Sequence, residues 1–331
     1  MYKRQGPASS TTSLYSPNTD DPYLENIQHD GAKTRADADS VALYAFDTLK
    51  LNEQWELSGG LRWDYFNVDY TATDATGGVT SNLGRIDRML SWRTGLVYKP
   101  QENGSIYAAY GTSFNPSAEG LAISTTITAV NNMNIDPEES RTIELGTKWD
   151  LLEDGRLSVN AAIFRTDKTN ARTEDPTNPS DTIALDGEQS VDGIELGMNG
   201  HLAEHWNVFA AYTLLKSEIR ESNNKAEIGN KLSNTPAHTF SLWNVYQLPM
   251  NFEIGGGLQF IDDRFSSNAN TRTAPSYFLG DAMAAYKINK DLTLRLNVYN
   301  LGDVEYIGSV GGGHFIPGAG RSATLTTEFK F

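Results

Sequence analysis

Short and long connections alternate strictly along this chain, and few architectures tolerate that rhythm. Between segments of alternating apolar and polar residues, the short connections fall at 49–53, 100–104, 152–155, 202–205, 248–251 and 287–291. The long ones fall at about 71–87, 115–138, 167–188, 217–236, 262–276 and 302–320. Antiparallel strands joined in order put successive connections at opposite ends of a sheet, so every long connection shares one end. A soluble β-sandwich has no physical reason for this segregation. A transmembrane β-barrel does, because its short turns face the periplasm and its long loops face outwards. If the C-terminus is periplasmic, the last strand descends and the 302–320 connection is extracellular, as its length requires.

The segments carry a period of two. In the last, Ala323, Leu325, Thr327, Phe329 and Phe331 share one face, and Ser322, Thr324, Thr326, Glu328 and Lys330 the other. Leu292, Leu294, Leu296 and Val298 alternate with Thr293, Arg295, Asn297 and Tyr299. Trp55, Leu57, Gly59, Leu61, Trp63 and Tyr65 oppose Glu56, Ser58, Gly60, Arg62 and Asp64. Alternation of this kind marks strands with two different surroundings. About thirteen such strands are expected, the first near 41–50. Each would run roughly 9–14 residues, enough to cross a bilayer at a tilt. Trp55, Trp92, Tyr98, Trp149, Trp206 and Tyr246 sit near strand ends, where an interfacial aromatic girdle belongs. Glycines on the polar face (Gly60, Gly95, Gly111, Gly255 and Gly257) either leave lumen space or relieve crowding in a curved sheet.

Composition does not compete with this reading. Mean hydropathy is -0.45, and no run approaches the roughly 18 apolar residues of a membrane helix. Barrel strands average to polar in any window, so that observation excludes helices only. A net charge of -15 argues against nucleic acid as a partner. The opening lacks the apolar core of a secretory signal. Residues 1–5 resemble the translated end of a transposon sequencing adapter and are read as a non-native scar. Residues 6–38 are read as an extracellular loop remnant, and 39–331 as barrel. Bacterial single-chain barrels have even strand numbers, and an unclosed sheet leaves edges unpaired. Thirteen strands therefore suggest an incomplete, open barrel.

Several stretches resemble one family. Leu296-Asn297-Val298-Tyr299-Asn300-Leu301-Gly302-Asp303, with Tyr306 following, is similar to the penultimate-strand signature of TonB-dependent receptors. Pro317-Gly318-Ala319-Gly320-Arg321 resembles the approach to their final strand. So do Tyr107-Ala108-Ala109-Tyr110-Gly111 with Phe114-Asn115-Pro116, and Pro137-Glu138 with Glu144-Leu145-Gly146 and Lys148, at receptor spacing. Asn234-Thr235-Pro236 with His238-Thr239 and Ser241-Leu242-Trp243 resembles the catecholate-siderophore subgroup, as does Asp281-Ala282-Met283-Ala284-Ala285-Tyr286. The resemblance implies a 22-stranded barrel filled by an amino-terminal plug, with this chain supplying its C-terminal wall. It implies a ferric catecholate siderophore as cargo and no covalently bound cofactor. Energy would come from the TonB–ExbB–ExbD system through a region not in this chain. Outer-membrane lipid and lipopolysaccharide would surround the wall.

Catalytic constellations are missing from the sequence. There is no cysteine, G-x-S-x-G or phosphate-binding loop. His201 and His205 flank a predicted turn, a poor platform for zinc. Asp20-Asp21 and Asp262-Asp263 read more simply as solvated loop charges than as calcium ligands. A ferric catecholate is a flat anion with aromatic rims, so its site needs guanidinium or ammonium groups and aromatic faces. The loop candidates are Arg264, Arg272 and Arg321 with Phe114, Tyr306, His314 and Phe315. The competing role for each arginine is an ion pair with a loop carboxylate. Gly308 and Gly311-Gly312-Gly313 predict a mobile last loop. A passive porin is the alternative function.

Overall fold

The computed structural model describes residues 2–5, 18, 20, 28–117, 136–175, 178–311 and 314–331. In chain order the strands are β1 (Tyr2–Gln5), β2 (Gln28–Lys50), β3 (Trp55–Thr73), β4 (Val79–Gln101), β5 (Gly104–Asn115) and β6 (Glu138–Leu151). Next come β7 (Leu157–Asp175), β8 (Asn178–Ala203), β9 (Trp206–Glu221), β10 (His238–Gln247), β11 (Phe252–Ile261), β12 (Arg264–Phe265) and β13 (Thr273–Ala274). The last five are β14 (Tyr277–Lys287), β15 (Leu292–Tyr299), β16 (Ile307–Gly311), β17 (His314–Pro317) and β18 (Ser322–Phe329).

Among the described residues, one antiparallel sheet of 14 strands contains every strand except those of two small ribbons, β12–β13 and β16–β17. Setting aside the four-residue β1, the sheet has the expected thirteen staves. Neighbours in sequence are neighbours in space, as in an up-and-down barrel wall. The sheet is open, with β1 at one edge and β18 at the other.

Local chemistry explains the short turns. In the β2–β3 turn the Asn52 side-chain oxygen accepts from the Gln54 and Trp55 amides, both at 2.9 Å. Asn289 does the same for Asp291 and Leu292 in the β14–β15 turn. An asparagine side chain that mimics a backbone turn specifies a tight reversal from sequence alone.

The two faces differ as the alternation demands. Across seven strands the apolar face carries the registered line Leu57, Leu96, Ala108, Leu145, Ile163, Ile194 and Leu214. Farther round, Ile254, Ala284, Leu296 and Leu325 continue it. Leu61 is 59% exposed and Leu325 70% exposed, with no second layer covering them. An apolar patch of this extent belongs against lipid. The opposite face is polar. Arg62 pairs with Asp64 at 2.7 Å, Lys99 with Glu56 at 2.7 Å, and the Tyr107 hydroxyl donates to Glu144 at 2.6 Å. Trp55 stacks on Tyr98 at 4.6 Å and Phe252 on Tyr286 at 4.4 Å, both next to short turns. Trp92 meets Tyr110 at 4.8 Å, but opposite Leu61 it lies between the aromatic levels and not at the strand end expected of it. Trp55 and Tyr65 stand ten positions apart on β3. That is about 33 Å of strand, or about 25 Å of height once tilted by roughly 40°, the thickness of an outer-membrane apolar band.

Three expectations change. Strands on the long-loop side are longer than predicted, up to 26 residues in β8. Most of 71–87 is paired backbone of β3 and β4, and β7–β8 likewise extend through most of 167–188. The β3–β4 reversal is only the turn at Asp74–Gly78, where the Asp74 carboxylate accepts from the Thr76 and Gly78 amides. β-Branched residues such as Thr71, Thr73 and Val79 keep the ladder going beyond the bilayer. Pairing in β2 also starts at Gln28, inside the segment assigned to loop. Lastly, large side chains lie across several polar-face glycines. Phe46 covers Gly60, Tyr107 covers Gly146, Phe164 covers Gly193 and Trp243 covers Gly257, each from the directly opposed strand position. A β-carbon there would collide with the ring, so these glycines relieve crowding.

Buried apolar packing is sparse. Val68 and Tyr70, with Ala36, Phe66, Ala72 and Leu83 against them, form a small core on β2–β4 above the apolar band.

Candidate functional site

The long-loop end is organised around the very motifs that carry the family resemblance. Asn300 follows β15 in the left-handed conformation (φ 51°), which asparagine tolerates better than most residues. It is buried, and its amide donates to the Asp281 carboxylate at 2.8 Å. Its side-chain nitrogen donates to the Val304 and Ala319 carbonyls, and its side-chain oxygen accepts from the Val304 amide. Asp303 accepts from the Arg321 amide at 2.9 Å. Tyr306 covers Gly318, whose amide donates to the Tyr306 carbonyl at 2.8 Å. Together these contacts pin both feet of the 302–320 connection.

Between those feet and the top of β14 lies a recess of about 820 Å³. Tyr277, Phe278, Tyr306 and Phe315 supply aromatic walls, and Asp303 and Glu305 add carboxylates. Tyr277 and Tyr306 meet with ring centres 4.4 Å apart. Arg264 stands behind Tyr277, its guanidinium 5.7 Å from the ring centre. It is only 5% exposed and donates to the Ile307 and Gly308 carbonyls at 2.7 and 2.9 Å. Among the described residues its Nε has no hydrogen-bond partner. Among the described residues no carboxylate pairs with it.

Arg264 thus links ribbon β12–β13 to ribbon β16–β17, and asparagines link β12–β13 to the 222–237 connection. Asn230 donates to the Asn268 carbonyl, the Ser233 amide to the Asn268 side chain, and the Lys231 amide to the Asn270 side chain, at 2.9–3.0 Å. Three consecutive loops therefore form one interlocked canopy. The last of them is a paired ribbon on either side of Gly312 and Gly313, which lie outside the described residues.

The candidate ligand residues separate accordingly. Tyr306 and Phe315 line the canopy recess, whereas Arg264 is buried behind its Tyr277 wall. Arg321 lies beside it and pairs with Asp303 at 3.5 Å. Arg272 is exposed on the canopy and has no ion pair among the described residues. The side chain of His314 lies outside the described residues. Phe114 lines a different recess, of about 250 Å³, with Arg62, Asp64, Phe66 and Met89 on β3–β5. The order of the sheet puts β6–β11 between the two. His201 and His205 bracket the β8–β9 turn, and no cluster of three or more metal-ligating side chains occurs among the described residues.

Above the second recess an ionic latch, unforeseen from sequence, holds both feet of the 115–138 connection. Glu138 accepts from Lys168 at 2.9 Å and from Asn115, and Arg172 lies 3.7 Å away. Asp87 accepts from Arg85 at 2.7 Å and from the Ser117 amide at 2.9 Å. Burial works to raise the Glu138 pKa, but the Lys168 bond, the Lys168 and Arg172 charges and the Asn115 amide outweigh it and hold it below the ordinary glutamate range. A carboxyl depressed in the folded state stabilises fully above its unfolded pKa, and the contribution is lost as pH falls through the folded value. Protection of the Arg172 amide, which donates to Glu138 at 3.3 Å, should accordingly hold at neutral pH and be lost as pH falls below the ordinary glutamate range. Glu138→Gln should abolish that dependence; an unchanged pH profile in this variant would count against the latch.

Strands of this length, with an apolar exterior, aromatic ends and an interlocked canopy on one side, define the wall of an outer-membrane β-barrel. The chain belongs to the TonB-dependent receptor β-barrel family; the family model described as "TonB dependent receptor-like, beta-barrel" matches residues 2–301. It is 38% identical over 339 residues to a protein of Acinetobacter baumannii named as the probable TonB-dependent siderophore receptor PiuA, covering 97% of this chain and 44% of that protein. It is 31% identical to the catecholate siderophore receptor Fiu of Escherichia coli K12, covering 92% of this chain and 43% of that protein. The crystal structure of PiuA superposes with a TM-score of 0.86 at 36% identity, over 97% of this chain and 47% of that one. The closed form of Fiu gives 0.85 at 28% identity, over 100% of this chain and 50% of that one. The chain thus spans half or less of the length of these relatives.

Proposed function

We propose that this chain supplies the C-terminal wall and part of the ligand-capturing canopy of a receptor that imports a ferric catecholate siderophore across the outer membrane. The observation that carries this reading is the interlocked canopy, with an aromatic recess at the top of β14 and an exposed Arg272 on the β12–β13 loop. Aromatic faces and a guanidinium without an ion pair among the described residues suit a flat aromatic anion. The catecholate choice draws on the kinship with Fiu, and the siderophore choice on PiuA as well. The siderophore is cargo, and nothing in the scheme requires a covalent cofactor or an enzymatic step. Coupling to TonB–ExbB–ExbD would run through the part of the receptor outside this chain.

Growth decides the matter. A strain lacking the full receptor should fail to grow on iron supplied only as a catecholate complex, grow normally on a hydroxamate complex, and recover with the receptor restored. Recovery should vanish when TonB is deleted. Uptake that survives TonB loss would point to the passive porin, and no catecholate-specific defect would sink the ligand assignment.

A further inference from the structure

The recess that Phe114 lines does not stand alone. A second recess of about 310 Å³, walled by Tyr44, Phe46, Gly60 and Arg93, shares Arg62 and Ser91 with it. Register stacks the two on one face. Tyr44, Arg62 and Ser91 form one cross-strand row of β2–β4, and Phe46, Gly60 and Arg93 the next. Above them come the row of Asp64 with Met89 and the row of Ser40, Phe66 and Asp87. From Asp87 to Arg93 is six residues of β4, about 20 Å of strand. These positions belong to the polar face, which in a barrel wall faces the lumen. A lane therefore descends from the foot of the 115–138 connection to the depth of Leu61, midway between the aromatic levels.

Charge along the lane is compensated except at its lower end. Asp64 and Asp87 are each paired with an arginine two residues away, Arg62 and Arg85, both at 2.7 Å. Arg93 is exposed and has no ion pair among the described residues. Its guanidinium lies 4.3 Å from the centre of the Phe46 ring. The strand positions on either side of it are Gly60 and Gly111. Neither carries a side chain that could crowd the guanidinium, and Phe46 reaches it across the space that Gly60 leaves. Tyr44 completes the group and is 78% exposed on a face that is otherwise polar. A guanidinium that contributes no ion pair to the sheet, in one recess with two exposed aromatic rings, offers the charge and the flat faces that an aromatic anion needs.

We propose that Arg93, Phe46 and Tyr44 form a transit site for the anionic aromatic cargo, halfway through the wall and separate from the canopy that captures it. The proposal rests on the import of a ferric catecholate argued above. Capture and passage then fall to different residues. A change at Arg93 slows delivery without weakening the first encounter, because the canopy recess and Arg93 lie on different strands, with β6–β11 between them.

The test uses the full-length receptor in cells without other catecholate uptake, supplied with radiolabelled iron as its dihydroxybenzoate complex, with rates taken per receptor in the outer membrane. Arg93→Gln should lower the maximal uptake rate about tenfold, while the affinity of the purified receptor for the complex stays within about twofold. Arg93→Lys keeps the charge and should recover part of the rate. Should Arg93→Gln fail to reach the membrane, a reduced rate in Arg93→Lys decides. Arg295→Gln, the same change on the polar face of β15, should alter neither rate nor affinity. Parental uptake in Arg93→Gln would overturn the proposal, as would a fall in affinity that accounts for the whole loss of rate, or an equal loss in Arg295→Gln. Entry of a large antibiotic such as vancomycin into the Arg93→Gln strain would also overturn it, since Arg93 would then only seal the lumen. A parental receptor that takes up no catecholate complex would sink the import reading itself, and the transit site with it.

Discussion

Arg264→Ala should loosen the canopy more than any other single truncation in it. The guanidinium is buried, and its two bonds fasten the Ile307 and Gly308 carbonyls of one ribbon to a residue of another. Truncation removes those bonds and the contact with Tyr277. Leaving carbonyls without donors and losing a desolvated cation–π contact costs about 2–4 kcal/mol. Converted to an opening equilibrium, that is about a 30- to 1000-fold rise. Amide exchange across Ile307–Gly311 and His314–Pro317 in the full-length receptor should accelerate by that factor, with the barrel strands unaffected. Arg264→Lys keeps the charge but not the fork, so it should recover only part of the protection. Exchange rates unchanged in the alanine variant would show that the ribbons are held by something other than Arg264.

How far such a feature could be foreseen depends on its range. Strand positions, short turns and the two faces follow from period-two alternation and from turn asparagines such as Asn52 and Asn289, all encoded within a few residues. The overextended β3–β4 and β7–β8 pairs were harder, because polar β-branched residues resemble loop as much as strand once no apolar stripe runs through them. The turn at Asp74–Gly78 is the local signal that would have shortened the predicted 71–87 loop. The canopy was the least legible. Arg264 looks from sequence like a surface cation awaiting a carboxylate; its burial against backbone carbonyls arises only when residues more than forty positions apart are brought together. Phe114 shares residue type with Tyr306 and Phe315 but not location, since sheet order decides proximity. The motif around Asn300 was legible as a family mark, while its work as a loop anchor needed coordinates.

Leu61→Arg should be the most damaging substitution in the wall, and its neighbour shows why. Leu61 lies on the apolar face of β3, opposed across strands by Trp92, and roughly midway between the aromatic levels of Trp55 and Tyr65. Arg62, one residue on, points to the polar face and pairs with Asp64 at 2.7 Å. The same guanidinium is therefore accommodated on one face and faces hydrocarbon on the other. At the bilayer midplane an arginine costs about 2–4 kcal/mol, because its charge must be desolvated or dragged to the interface. Arg62→Leu, by contrast, breaks only a partly exposed ion pair and should cost under about 1 kcal/mol. Guanidinium titrations of the full-length receptor refolded into lipid vesicles should separate the two variants by at least about 1 kcal/mol. Equal stabilities would mean that the face carrying Leu61 does not meet lipid, and the assignment of inside and outside would have to be reversed along every stave of the wall.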